Sequence, residues 1–231
     1  VRLAVADLQA GYGSATVVRG LSLTIEDGAA LAILGRNGMG KSTLLKAILG
    51  LVARSGTITL DGDDIAAWPT ARIVRRGIGY GPQEEAIFDD LSVGENLAAN
   101  VTRRRASAAR VAGVLDYFPV LGRRPRQRAG SLSGGEQKML VLARVLLAEP
   151  KLIILDEISA GLQPAMLATV RGALAAERQR RGTTILMVEQ NLDLALALAD
   201  SVAVMKLGQI QFAAPVTAPG IRATLENQLA P

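Results

Sequence analysis

The stretch Gly35-Arg36-Asn37-Gly38-Met39-Gly40-Lys41-Ser42-Thr43 constrains this chain more than any other. It fits the pattern G-x-x-x-x-G-K-[ST], with a further glycine inside the loop. The apolar run from Ala29 to Leu34 before it reads as a buried strand, and Leu44 to Leu49 after it reads as a helix. Glycines let a backbone take positive φ and approach a ligand closely. Successive amide N–H groups then turn inward and form an anion cradle at the helix N-terminus. Lys41 adds a mobile positive charge for β- and γ-phosphates, and the Ser42 hydroxyl can ligate Mg²⁺. Gly35, Asn37, Gly38, Gly40, Lys41, Ser42 and Thr43 are therefore the candidate phosphate-binding residues.

Other features of the sequence exclude several chemistries. The 231 residues contain no cysteine and no histidine. A disulfide, a thiolate metal site, a histidine base and a histidine-ligated metal are all ruled out. With 49% hydrophobic and 20% charged residues, the chain has the balance of a globular α/β domain rather than a disordered one. Charges interrupt every apolar run before it reaches the length of a membrane span, and residues 1–20 lack a signal-peptide core. The expectation is a soluble chain, or one attached to a membrane only through a partner. The net charge is +5. Much of the excess lies in Arg103, Arg104, Arg105, Arg110, Arg123, Arg124, Arg126 and Arg128, opposed only by Asp116. Such a patch reads as a solvated helical face or a surface for anionic headgroups. Aromatic residues are 3% of the chain and are not interleaved with these arginines, which argues against nucleic acid.

Strand–helix–strand alternation recurs along the chain. Residues 1–30 read as short strands and turns, and Gly56 to Gly62 as a strand ending in a turn. Ile73 to Tyr80 contains a helix end and a strand, closing at Gly81-Pro82-Gln83. Residues 84–145 are richer in helix formers and arginine and read as a helical lobe between core segments 1–83 and 146–231. Two apolar runs, Leu152 to Leu155 and Thr184 to Val188, read as buried parallel strands with a helix between them. The first ends in Asp156-Glu157. Ligands gather at the carboxyl ends of parallel strands. That places Asp156 to hold Mg²⁺ and Glu157 to orient and deprotonate a water.

Leu132-Ser133-Gly134-Gly135-Glu136-Gln137 is the discriminating motif. Ser133-x-x-Glu136 is a capping box, and the two glycines leave the first helical amides bare. The phosphate loop, Gln83, this hexapeptide and the strand ending at Glu157 occur in that order. In this the chain resembles, over nearly its full length, the nucleotide-binding subunits of ABC transporters.

The resemblance implies a P-loop ATPase core of the α/β class, with a mostly parallel sheet, an N-terminal antiparallel β part and a helical lobe. It implies ATP and Mg²⁺ as ligands and a head-to-tail dimer, either with a second ATPase subunit or with itself. Ser133, Gly134 and Gly135 of one subunit then touch the γ-phosphate bound by the other. Tyr12 matches the aromatic that stacks on adenine, and Gln83 the residue that contacts Mg²⁺ or the attacking water. Permease subunits are the implied membrane partners, with a substrate-binding protein reached indirectly. The implied location is the cytoplasmic face of the inner membrane.

Three positions depart from the family pattern. Gln190 stands where a histidine usually touches the γ-phosphate, Ile158 where proline follows the catalytic glutamate, and Gln163 where an aspartate is usual. An amide still donates a hydrogen bond to phosphate but carries no charge. Gly-Arg-Asn-Gly-Met-Gly-Lys-Ser-Thr together with Val-Glu-Gln-Asn is similar to the second, shorter ATPase subunit of branched-chain amino-acid importers. Relatives of that subunit serve urea and short-chain amides. A weakly hydrolysing regulatory module is the alternative that Gln190 and Gln163 leave open.

Overall fold

The computed structural model describes residues 3–83, 87–99 and 107–230. In chain order the strands are β1 (Leu3–Tyr12), β2 (Ala15–Ile25), β3 (Ala30–Leu34), β4 (Ala53–Leu60), β5 (Asp63–Asp64), β6 (Ile78–Gly81), β7 (Leu152–Asp156), β8 (Thr184–Glu189), β9 (Ser201–Lys206) and β10 (Gln209–Pro215). The helices are α1 (Lys41–Ile48), α2 (Thr70–Arg75), α3 (Val93–Ala99), α4 (Ala108–Tyr117), α5 (Pro119–Gly122), α6 (Gly134–Leu147), α7 (Pro164–Arg181), α8 (Leu192–Leu198) and α9 (Ile221–Leu229). Arg103, Arg104 and Arg105 of the basic patch lie outside the described residues.

Among the described residues, two sheets carry the fold. One has four strands in the order β2-β1-β4-β5, antiparallel throughout. The other has six, in the order β10-β9-β3-β8-β7-β6; β9 through β6 are parallel, and β10 closes the edge as an antiparallel hairpin. The expected mixed architecture is present.

The parallel strands are apolar at nearly every position because both of their faces are covered. Alternate residues go to opposite sides. Ala30, Ala32, Leu34, Ile153, Leu155, Ile185 and Met187 join α6, α7 and α8 in one core. Leu31, Ile33, Leu152, Ile154, Leu186 and Val188 join α1 and the antiparallel sheet in the other. The six-stranded sheet is therefore a wall between two apolar layers, rigid enough to hold what projects from its end.

Three neighbouring strands, β3, β8 and β7, run in the same direction. Their carboxyl ends are consequently side by side. The phosphate loop follows β3, Asp156 ends β7 and Glu189 ends β8. The topology alone gathers these segments at one sheet end.

Helix α6 starts where the capping box requires. Ser133 accepts from the Glu136 amide, and the Glu136 carboxylate accepts from the Ser133 amide at 2.9 Å. The expected boundary between lobes, after residue 145, falls inside this helix. Its buried side chains serve both sides: Met139, Leu142 and Leu146 share one core with Val93 of α3, Leu121 of α5, Phe118 between α4 and α5, and Ile153 of β7. One continuous helix thus spans the junction.

Candidate active site

The phosphate loop takes its shape from two glycines in the left-handed region, Gly38 (φ 80°) and Gly40 (φ 100°). Gly40 is also the N-cap of α1, and it offers the Leu44 amide its carbonyl at 2.9 Å. A Cβ at Gly40 would lie 3.1 Å from the Met205 methyl and 3.2 Å from a Val17 methyl. Gly35 has a different reason to be glycine: a Cβ there would sit 2.6 Å from the Met205 carbonyl oxygen. The loop is held from the far side by the β9–β10 hairpin. The Gly208 amide donates to the Met39 carbonyl at 3.0 Å, and the Arg19 amide to the Gly208 carbonyl at 3.0 Å.

A cleft of about 340 Å³ opens over the loop, lined by Asn37, Gly38, Met39, Gly40, Lys41, Ser42, Thr43, Val17, Gln83 and Glu157. Six of the seven loop residues proposed from the sequence line it; the seventh, Gly35, lies buried beneath. Lys41 is buried and donates to the carbonyls of Gly35 (2.6 Å) and Arg36 (3.0 Å). Its ammonium also lies 3.0 Å from Glu157 Oε1. Ser42 Oγ donates to Asp156 Oδ1 at 2.9 Å, which brings that carboxylate to the cleft edge. Burial pushes the Asp156 carboxyl above its ordinary range; the Ser42 hydroxyl opposes this and the neighbouring Glu157 charge adds to it.

Glu157 is buried and its backbone is left-handed, with φ 47°. Its amide donates to the Val188 carbonyl at 3.0 Å, which extends the β7–β8 pairing one step past Asp156. Gln190 Nε2 donates to Glu157 Oε2 at 2.8 Å and to Asn37 Oδ1 at 2.7 Å. The departure from histidine therefore leaves a neutral amide bridging the loop and the carboxylate.

Ser42, Asp156 and Gln83 offer a hydroxyl, a carboxylate and an amide carbonyl, the oxygen donors that a hard divalent cation takes. They fit a magnesium ion at the mouth of the loop.

Two groups of sequence candidates lie elsewhere. Tyr12 stands at the end of β1, half exposed, and is not among the cleft-lining residues. Ser133, Gly134 and Gly135 begin α6 and do not line the cleft of their own chain either. A Cβ at Gly135 would fall 2.2 Å from Met166 Sδ, whereas one at Gly134 would meet nothing within 4 Å. Gly135 is thus a packing glycine and Gly134 an open one.

Sequence reasoning passed over Val17, Met39, Ser159 and Glu189. Val17 and Met39 line the cleft. Glu189 is wholly buried and accepts from the Ser159 amide at 3.1 Å and from the Ser159 hydroxyl. The available signal was its charge at the end of an otherwise apolar strand, Thr184-Ile185-Leu186-Met187-Val188.

Comparison with known proteins gives the family. A family model described as "ABC transporter" matches residues 18–160. The high-affinity branched-chain amino acid transport ATP-binding protein BraG of Pseudomonas aeruginosa is 37% identical over 91% of this chain and 93% of its own. A probable branched-chain amino acid transport ATP-binding protein, LivF of Archaeoglobus fulgidus, is 36% identical over 89% of this chain and 88% of its own. The Fe(3+) ions import ATP-binding protein FbpC 1 of Rhodococcus jostii is also 36% identical, over 86% of this chain and 58% of its own. Among solved structures, a nucleotide-free ATP-binding cassette from an ABC transporter superposes with a TM-score of 0.85 at 25% identity, covering 97% of this chain and 94% of its own. With a family model over most of its length, and a relative 37% identical over 91% of it, the chain belongs to the ABC transporter family of ATP-binding proteins.

Proposed function

We propose that this ATPase energises an importer of branched-chain amino acids, hydrolysing ATP with Glu157 as general base. The observation that carries the catalytic part is that the Glu157 carboxylate, beside the phosphate loop, meets both the Lys41 ammonium (3.0 Å) and Gln190 Nε2 (2.8 Å). In this reading the loop amides and Lys41 take the β- and γ-phosphates. Ser42, Asp156 and Gln83 would hold a magnesium ion, which would supply positive charge against the phosphates. Glu157 accepts a proton from a water whose oxygen bonds to the γ-phosphorus as the bond from that phosphorus to the bridging oxygen breaks. ADP leaves with the electron pair of that bond. Gln190, as a neutral donor, steadies the charge that develops on the γ-phosphoryl oxygens.

Replacing Glu157 with Gln keeps the shape and removes the base. Turnover is expected to fall at least ~10²-fold while ATP binding persists, the usual size of a general-base contribution. Hydrolysis at the wild-type rate in Glu157→Gln removes this residue from the mechanism.

The dimer follows from what the cleft lacks. Ser133 and Gly134 stand outside it in their own chain, exposed at the start of α6. A second ATPase subunit, identical or not, is proposed to bring its Ser133, Gly134 and Gly135 onto the γ-phosphate, while Tyr12 is proposed to stack on the adenine. We divide the chain into a core lobe (1–83 and 146–231) and a helical lobe (84–145). The half-exposed Phe88, beside Ile87 on the helical lobe, is the proposed floor of the permease contact. No helix among the described residues is long and apolar enough to cross a membrane. Attachment to the cytoplasmic face of the inner membrane is proposed to run through the permease.

The amino-acid substrate rests on the likeness to BraG and LivF. An iron-importer relative has nearly equal identity, so the amino-acid assignment is the finer part of the proposal. Vesicles carrying the chain with its permease and binding protein decide the matter. ATP-dependent uptake of leucine, isoleucine or valine supports the proposal, and uptake of urea or a short-chain amide instead replaces it.

A further inference from the structure

We propose that Glu189 is a positioning residue for hydrolysis: with Ser159 it forms a buried clasp that holds Glu157 and Gln190 in register. This rests on the assignment of Glu157 as the base. Glu157 and Ser159 belong to the turn that leaves β7, and Glu189 and Gln190 to the end of β8. Two rungs join these segments. On the cleft side, Gln190 Nε2 donates to Glu157 Oε2 at 2.8 Å. On the buried side, the Ser159 amide donates to Glu189 Oε1 at 3.1 Å and the Ser159 hydroxyl to Glu189 Oε2 at 2.5 Å.

The rungs differ in what nucleotide does to them. Glu157 and Gln190 are the groups that must turn to the water and the γ-phosphate, so the cleft-side rung opens during catalysis. The buried rung touches neither and stays. Glu189 is 0% exposed, and no cation pairs with it among the described residues. Its compensation is a set of donors from these same two segments: Ser159 N–H and O–H, together with the backbone amides of Gln190 and Asn191. A buried carboxylate satisfied this way fixes the separation of the segments that supply its donors. It also holds the turn in which Glu157 sustains a left-handed backbone (φ 47°), a conformation a non-glycine residue keeps only when its surroundings impose it.

The test is steady-state ATP hydrolysis by the full chain. Ser159→Ala removes the hydroxyl without adding bulk, and Ser159→Thr keeps it. Ser159→Ala is expected to lower kcat ~10-fold or more with the KM for ATP within about 2-fold, because misplaced groups cost transition-state rather than ground-state binding. Ser159→Thr is expected to stay within ~3-fold of wild type in kcat. Wild-type kcat in Ser159→Ala overturns the clasp, as does an equal loss in both variants or a rise in KM with kcat unchanged. Glu157→Gln is measured alongside. If it is inactive while Ser159→Ala turns over normally, the clasp alone fails; if it too turns over normally, the base assignment fails.

Discussion

Lys41 and Glu157 neutralise one another: the ammonium lies 3.0 Å from the carboxylate, and the two side chains are 3% and 7% exposed. The charge that a phosphate must meet is thus already engaged by the carboxylate that must meet the water. Removing one member of a buried pair leaves the other without compensation, at a cost of roughly 3–5 kcal/mol. Lys41→Ala and Glu157→Gln should each destabilise the nucleotide-free chain. The double variant should lose less than their sum by at least ~1 kcal/mol. Chemical denaturation of the four proteins measures this coupling, and strict additivity shows that the pair contributes nothing. Lys41→Ala should also weaken ATP binding at least ~10-fold in an equilibrium assay.

Gln190 holds Glu157 and Asn37 through one amide nitrogen. Gln190→Ala removes that donor and should lower turnover ~10-fold or more, as expected when a group aimed at transition-state charge is lost. A neutral amide does not titrate near neutrality, so this position adds no pH dependence between about pH 6 and 8. Gln190→His should introduce one near ~6.5. A pH–rate profile unchanged by Gln190→His, or full activity in Gln190→Ala, makes the residue a bystander.

The open glycine and the packed glycine of α6 should separate folding from association. Gly134→Ala meets no neighbour within 4 Å, so it should unfold at the wild-type temperature. The added methyl stands on the face proposed to receive the other subunit's γ-phosphate, and ATP-induced dimers should become scarce in sedimentation. Gly135→Ala meets Met166 Sδ, the end of a flexible side chain that can shift, and should destabilise the chain itself by no more than ~1 kcal/mol. Normal ATP-induced dimers in Gly134→Ala are the result that removes the proposed interface.

Stability at α6 should depend on acidity with a definite sign. The Ser133 amide holds the Glu136 carboxyl below its ordinary range, helped by the Ser133 hydroxyl and Arg124 and opposed by partial burial. A carboxyl lowered on folding stabilises above its unfolded pKa, and that contribution is lost as pH falls through the folded value. Wild type should therefore lose stability on acidification relative to Glu136→Gln, by ~0.5–2 kcal/mol, the range for a helix cap. Parallel acid-unfolding curves for the two proteins show that the cap carries no charge-dependent stability.

The features that were legible in the sequence are those written in neighbouring residues. The phosphate loop, its strand and its helix are one contiguous stretch, and the capping box at Ser133 and Glu136 spans four positions. The apolar strand ending in Asp156-Glu157 announced itself by composition. Each depends on local backbone chemistry, so local residues determined it. The sequence also marked Glu157 by its place at the end of an apolar strand, and the family resemblance marked Gln190 at the position where a histidine is usual.

What only the tertiary structure decided is which of these groups meet. Asn37 and Gln190 are 153 positions apart, and Ser159 and Glu189 are 30 apart. Their contacts depend on the strand order β10-β9-β3-β8-β7-β6. Every parallel strand in that wall is apolar on both faces, so periodicity cannot tell which lies beside which. The same order puts Glu189 inside the wall with Ser159 and leaves Tyr12 outside the cleft, at the end of a different sheet. It also puts the Met205 carbonyl where a Cβ at Gly35 would collide with it. Backbone chemistry within a few residues is fixed by those residues, whereas the pairing of distant carboxylates, amides and ammonium groups is fixed by how strands stack once both faces of a sheet are buried.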